Sequence, residues 1–326
     1  MKALVYDAPE TLGCREAPEP QPGAGEHLIR IAAVGICGSD MHAYLGHDDR
    51  RPAPLILGHE AAGAIVGGPR DGERVTINPL VTCGTCPACT MGRENLCATR
   101  QIISMPPREG AFAQFVAMPD VNLVSVPDGF ALNKAALAEP LAVSWHGARL
   151  GLAALDPNLG AKALVLGGGA IGLAATLALR AMGLSDITIA EPNPVRRRYL
   201  ADHCGENVVE HADGAFGLVV DAVGFAATRA SASALACPGG VIVHIGLGED
   251  LGGLDIRRMT LQEITFIGTY TYTAEDFRQT ARAMFDGRLG DLTWFEQRPL
   301  QDGARAFADI RNNVVAAPKV VLDPWQ

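Results

Sequence analysis

No run of 18 or more apolar residues occurs in the 326-residue sequence, which leaves no candidate for a transmembrane helix. Basic clusters are also missing. With 27 Lys and Arg against 36 Asp and Glu, the formal charge is −9, which argues against nucleic acid as a main partner. The opening MKALVYDAPE lacks the pattern of a targeting peptide and reads as a first strand, so the cytoplasm is the expected compartment. Neither an internal repeat nor a low-complexity tract is found. Charged residues are few, at 19%, while 48% are hydrophobic, enough for the two domains that this length suggests.

Cysteine is concentrated where it is present. Cys83, Cys86, Cys89 and Cys97 lie in one loop, as two CxxC steps sharing a cysteine and a fourth thiol eight residues on. Four thiolates in a loop that Gly84, Pro87 and Gly92 allow to bend suit tetrahedral zinc at about 2.3 Å. Adjacent CxxC disulfides would be strained, and bridges are rare in the cytosol. With every ligand a protein sulfur, that zinc is structural. Cys14, Cys37, Cys204 and Cys237 are scattered and show no disulfide pattern.

Residues 1–140 are rich in Gly and Pro, with short apolar strands such as 27–34 and 73–77, and suggest a mostly β domain with long loops. After residue 140 the texture changes. Short, wholly apolar runs at 163–166, 187–189, 218–220, 241–243 and 264–266 alternate with helix-length segments. Such runs are buried on both faces, so a doubly wound α/β sheet is expected over 141–273. The tail, 274–326, holds an amphipathic helix, the segment 295–300, a short helix and a last strand at 319–322, and is expected to pack back on the first domain.

The first strand of the second region runs into Gly167-Gly168-Gly169-Ala170-Ile171-Gly172, which opens a helix. This is GxGxxG in its required context: Gly167 makes the turn, Gly169 admits a pyrophosphate, and Gly172 lets the helix pack on the strand. Glu191, 19 residues later, ends the second strand, where a carboxylate can accept from the adenosine ribose. Its charge favours NAD over NADP; Arg196 and Arg197 are the residues that could instead meet a 2′-phosphate.

In the first region, Gly35-Ile36-Cys37-Gly38-Ser39-Asp40-Met41-His42 is followed by Gly58-His59-Glu60. Cysteine, histidine and carboxylate form a mixed ligand set that can leave zinc an open position. These blocks, with GHEAAG, the four-cysteine lobe, Glu139-Pro140-Leu141-Ala142-Val143 and the glycine turn, resemble the zinc-containing medium-chain alcohol dehydrogenases over residues 1 to about 250. The resemblance implies a GroES-like catalytic domain (1–140 and 274–326), a Rossmann domain (141–273), and two zinc ions per chain. It makes Cys37 and His59 catalytic zinc ligands, Glu60 a third, direct or intermittent, and Glu139 a ligand direct or through water, as in the sorbitol dehydrogenase branch. It also implies Ser39 and His42 as a proton relay, Asp40 as the carboxylate orienting His59, Ile245 and Leu247 at the cofactor, and a homodimer or homotetramer.

The chain departs from that branch in three places. The segment 63–74 is short, Ala43 stands where a tyrosine is usual, and Thr271-Tyr272 replaces an Arg-Tyr pair. A secondary alcohol of a polyol or sugar acid is the expected substrate, with L-threonine or a sugar phosphate as alternatives. From another class comes a non-catalytic NAD sensor with structural zinc only, and from the same superfamily a zinc-free quinone reductase. Two, one or no zinc ions per chain would separate the three.

Overall fold

The strand Glu26–Gly35 organises the first of two compact units (Met1–Glu139, Thr273–Gly287 and Phe295–Gln326) in the computed structural model, which describes residues 1–160 and 162–326. One side of the strand pairs antiparallel with Glu60–Val66. The other pairs with Phe115–Pro119 along its first half and with Lys319–Asp323 at its end. Among the described residues this sheet has seven strands. Ile29, Ile31, Val34, Ile65, Val75 and Ile77 are at most 1% exposed, and burying each contributes roughly 1.5–3 kcal/mol before entropy is counted. The helix Ala274–Phe285 starts at a capping box, where Asp276 N donates to Thr273 Oγ1 at 3.1 Å. Its buried face is Phe277, Thr280, Ala281 and Met284, at the three-and-four spacing of a half-buried helix.

The second unit comprises Pro140–Tyr272 and Arg288–Trp294. Its strands, in chain order, are Lys162–Leu166, Asp186–Ala190, Val208–Val209, Phe216–Asp221, Ala236–His244 and Thr265–Gly268. They lie side by side as 3-2-1-4-5-6, every pair parallel, which is the Rossmann order. All six residues of Phe216–Asp221 are buried, as a central parallel strand requires. One boundary differs from the sequence reading, which keeps all of 274–326 with the first domain. Arg288–Trp294 belongs to the second unit: Arg288 Nη2 donates to Ala181 O at 2.9 Å, and its guanidinium lies 5.7 Å from the Trp145 ring centroid. Among the described residues no helix is long and apolar enough to cross a membrane.

Candidate active site

Cys37 follows the strand Glu26–Gly35 and caps the helix Gly38–Tyr44, while His59 immediately precedes the adjacent strand, which Glu60 opens. Register then brings them together, because Gly35 lies opposite Glu60. One donor atom from each of Cys37, His59 and Glu60 lies within 4.8 Å of the others. A Cβ at position 35 would stand 2.1 Å from Glu60 Oε2, so any larger residue there would displace that carboxylate.

The surroundings orient the histidine. Asp40, fully buried, accepts from Cys37 N at 3.0 Å and Gly58 N at 3.2 Å, and its Oδ1 is 3.4 Å from His59 Nδ1. Burial works against the carboxylate, but His59, Arg51 and the Cys37 amide hold its pKa below the ordinary value. The ring responds in the same way. Burial disfavours its charge, yet Asp40 and Cys37 outweigh that and hold His59 well above an ordinary imidazole. Two hydroxyls flank it: Ser39 Oγ is 3.4 Å from Nε2 and Ser104 Oγ 3.3 Å from Nδ1. His42, half-buried, lies three residues after Ser39 in the same helix, the spacing that puts two side chains on one face.

Glu60 is fully buried, and Lys319 Nζ, itself buried, donates to its Oε1 at 2.6 Å and to Ile36 O at 2.9 Å. Burial opposes the ammonium's charge, but Glu60 and Cys37 keep its pKa above the ordinary lysine value. Glu60 Oε2 has no hydrogen-bond partner among the described residues. The Cys37 thiol, the His59 imidazole and a Glu60 carboxylate oxygen, gathered within 4.8 Å, fit a divalent cation such as zinc. Glu139, 6% exposed at the start of the helix Ala138–Ala154, is outside that trio but near enough to act on Lys319.

The four lobe cysteines converge as well. Their sulfurs lie within 4.8 Å of one another, with Cys86–Cys89 at 3.5 Å, Cys83–Cys97 at 3.6 Å and Cys83–Cys89 at 3.9 Å. A tetrahedron of thiolates at about 2.3 Å has edges of roughly 3.8 Å, whereas a disulfide needs about 2.05 Å. All four are free thiols. The amides of Thr85 and Cys86 lower the Cys83 pKa to about 5, while burial and hydrogen bonding to Cys86 push Cys89 up to about 11. Four clustered sulfurs cannot all ionise without a cation, so this donor set also fits zinc.

The second unit carries the glycine turn. Gly169 caps the helix Ala170–Ala181 without a side-chain bond, so the first-turn amides around Ala170 and Ile171 are open to an anion. A Cβ at Gly169 would meet nothing within 4 Å, whereas one at Gly172 would stand 1.8 Å from Gly167 O. The empty space and the close packing are what a pyrophosphate cradle needs. Glu191, just past the strand Asp186–Ala190, accepts from Gly168 N and Asn193 N at 2.8 Å each, one bond per oxygen. Each oxygen keeps a lone pair for a ribose hydroxyl. Arg197 Nη1 donates to Glu191 O and Pro192 O, at 2.8 and 3.0 Å. Arg196 is half-buried beside Glu191, and burial holds its pKa below the ordinary value. Beyond the strand Ala236–His244, Ile245 is buried and Leu247 is 71% exposed.

Residues 23–128 match the alcohol dehydrogenase GroES-like domain model, and residues 170–286 match the zinc-binding dehydrogenase model. The chain is 32% identical to L-galactonate-5-dehydrogenase of Escherichia coli K12 over 334 residues, 96% of each. It belongs to the zinc-containing medium-chain alcohol dehydrogenase family. It is therefore an oxidoreductase, of the polyol dehydrogenase branch. Sorbitol dehydrogenase of Bacillus subtilis is 38% identical over 205 residues, 60% of this chain and 57% of that one. An alcohol dehydrogenase of E. coli CFT073 in complex with NADH superposes with a TM-score of 0.88 at 25% identity, over 99% of both chains.

Three polar residues of the site escape a reading of the sequence: Lys319, Arg51 and Ser104. Lys319 is 259 positions from Glu60, and nothing local distinguishes it from a solvated strand end. Arg51 sits in the charged run Asp48-Asp49-Arg50-Arg51, which reads as surface, yet it is 3% exposed.

Proposed function

We propose that this enzyme oxidises a secondary alcohol of a polyol or sugar acid with NAD+, with a catalytic zinc at Cys37, His59 and Glu60 and a structural zinc at Cys83, Cys86, Cys89 and Cys97. The observation that carries the reading is the convergence of the Cys37, His59 and Glu60 donors within 4.8 Å of one another, with Glu60 Oε2 unpartnered among the described residues. Relatives named for L-galactonate and sorbitol support the substrate class. Glu139 is assigned to the same zinc through a water, since its carboxylate stands outside the trio. When bound, zinc supplies Lewis-acid polarisation of the substrate hydroxyl and NAD+ supplies the hydride acceptor. The chain's own residues do the rest. Asp40 holds the His59 ring by Nδ1, leaving Nε2 for the ligand role. Ser39 takes up the proton of the substrate hydroxyl, and His42 passes it toward solvent. Gly167, Gly169 and Gly172 with the amides of Ala170 and Ile171 seat the pyrophosphate, Glu191 the ribose, and Ile245 and Leu247 the nicotinamide end. The expected assembly is a homodimer or homotetramer, and the expected compartment the cytoplasm.

Two zinc ions per chain should be found by elemental analysis. A mild chelator should remove the first together with activity while the fold persists, because the mixed site keeps an open position and the four-thiolate site does not. One zinc per chain, or loss of activity only on unfolding, would sink the two-site reading. Polyols, sugar acids and L-threonine assayed with NAD+ and NADP+ then name the substrate.

Glu191→Ala should weaken NAD+ binding by about 1.5–3 kcal/mol and move the NAD+/NADP+ affinity ratio toward NADP+, since the carboxylate both accepts from the ribose and repels a 2′-phosphate. Because the variant also frees the Gly168 and Asn193 amides, the ratio is the informative measurement. A ratio equal to wild type would place Glu191 away from the ribose.

A further inference from the structure

Arg51 is the one buried arginine in direct contact with the proposed proton path among the described residues. Arg51 is 3% exposed, and its guanidinium spans two segments. Nε donates to Ser104 O at 3.0 Å, Nη1 to Ser39 O at 3.3 Å, and Nη2 lies 3.4 Å from Ser39 Oγ. Nη1 also donates to Asp48 Oδ2 at 2.6 Å, and Asp48 is held in turn by Arg50. The two serines that Arg51 ties together are those whose hydroxyls flank the two ring nitrogens of His59.

Ser104 adds a second, independent observation. It is fully buried and not glycine, yet its backbone is left-handed, with φ at 72°. Such a conformation is unfavourable for a residue with a side chain and persists only where its surroundings impose it. The Arg51 bond to its carbonyl is one of the contacts that does so.

We propose that Arg51 is a positioning residue for the reaction: it fixes Ser39 and Ser104 on either side of His59 and sets the direction in which the Ser39 hydroxyl passes on the substrate's proton. The chemistry of the groups gives the direction. A serine hydroxyl has one proton and two lone pairs, and a guanidinium can only donate. With one lone pair taken by Arg51 and His59 Nε2 committed as a ligand, Ser39 keeps one acceptor site and one proton. It accepts the proton from the substrate oxygen as its own leaves toward His42, so charge and atoms balance at the serine. The 3.4 Å separation is of the kind that catalytic contacts show before substrate binds. Arg51 is buried and engaged with Asp48, Ser39 and Ser104, so it acts through geometry and not as a binding site for the substrate's own charge.

This inference rests on the relay reading of Ser39, and the test separates the two. Arg51→Met and Arg51→Lys are made alone and with Ser39→Ala, and kcat, KM for NAD+, bound zinc and melting temperature are measured with the best polyol of the panel. Arg51→Met should lower kcat about tenfold to a hundredfold, the usual cost of an outer-shell partner, with zinc retained and KM for NAD+ near wild type. Arg51→Lys should be intermediate, since an ammonium can hold one serine but not bridge two. In the Ser39→Ala background the same substitutions should cost less than about twofold, because coupled residues are non-additive. If Ser39→Ala is impaired but Arg51→Met costs the same factor in both backgrounds, the relay stands and the role of Arg51 is overturned. A Ser39→Ala variant at the wild-type rate overturns both. Should Arg51→Met not fold, Arg51→Lys decides: loss of zinc together with activity makes Arg51 merely structural.

Discussion

Lys319→Met should cost about 3–5 kcal/mol of stability in the zinc-free protein, the penalty for leaving one member of a buried ion pair alone. Lys319 and Glu60 have side chains 3% and 0% exposed and an N–O separation of 2.6 Å. Methionine matches the volume of lysine but offers no donor, so the loss is electrostatic. Two controls identify the cause. In Glu60→Gln/Lys319→Met the uncompensated charge is gone, and most of the loss should return. With zinc bound, the cation stands in for part of the missing ammonium, so the cost should shrink. Denaturant midpoints with and without a chelator measure both. A loss under about 1 kcal/mol, or one equal in the single and double variants, would mean that Glu60 is not the buried anion the geometry describes.

Gly172→Ala should impair folding and cofactor binding together. Its Cβ would stand 1.8 Å from Gly167 O, and a backbone carbonyl cannot swing aside as a flexible side chain can. Overpacking of this kind costs about 1–3 kcal/mol or more, and the atom that must yield belongs to the turn that seats the pyrophosphate. NAD+ affinity should fall by roughly tenfold to a hundredfold along with the melting temperature, each 1.4 kcal/mol being a factor of ten. Gly169→Ala is the matched control. Nothing lies within 4 Å of a Cβ there, so the protein should melt like wild type while NAD+ binding weakens, the methyl filling space meant for the phosphates. Equal NAD+ affinity in Gly169→Ala and wild type would show that no ligand approaches that glycine.

What could be read from the sequence alone was what depends on local spacing. Apolar runs such as 163–166 and 218–220 mark strands buried on both faces, because only wholly apolar side chains suit that environment. The four lobe cysteines lie within 15 residues, so one loop suffices to gather them. GxGxxG is likewise legible, because turn, cradle and helix start are contiguous in the chain. Antiparallel register, by contrast, was left to the tertiary structure. Glu60 looked like a possible ligand, but its burial, its orphaned oxygen and its lysine partner appear only once Glu26–Gly35 lies between Glu60–Val66 and Lys319–Asp323. Arg51 and Ser104 are hidden for the same reason. Asp48 apart, their partners are 12 to 53 positions away, and a charged run reads as solvated until the fold shows what closes over it. Ligand types and glycine turns are chemistry written into short segments, whereas which charge is buried, and against what, is decided by contacts between segments that the chain's order does not reveal.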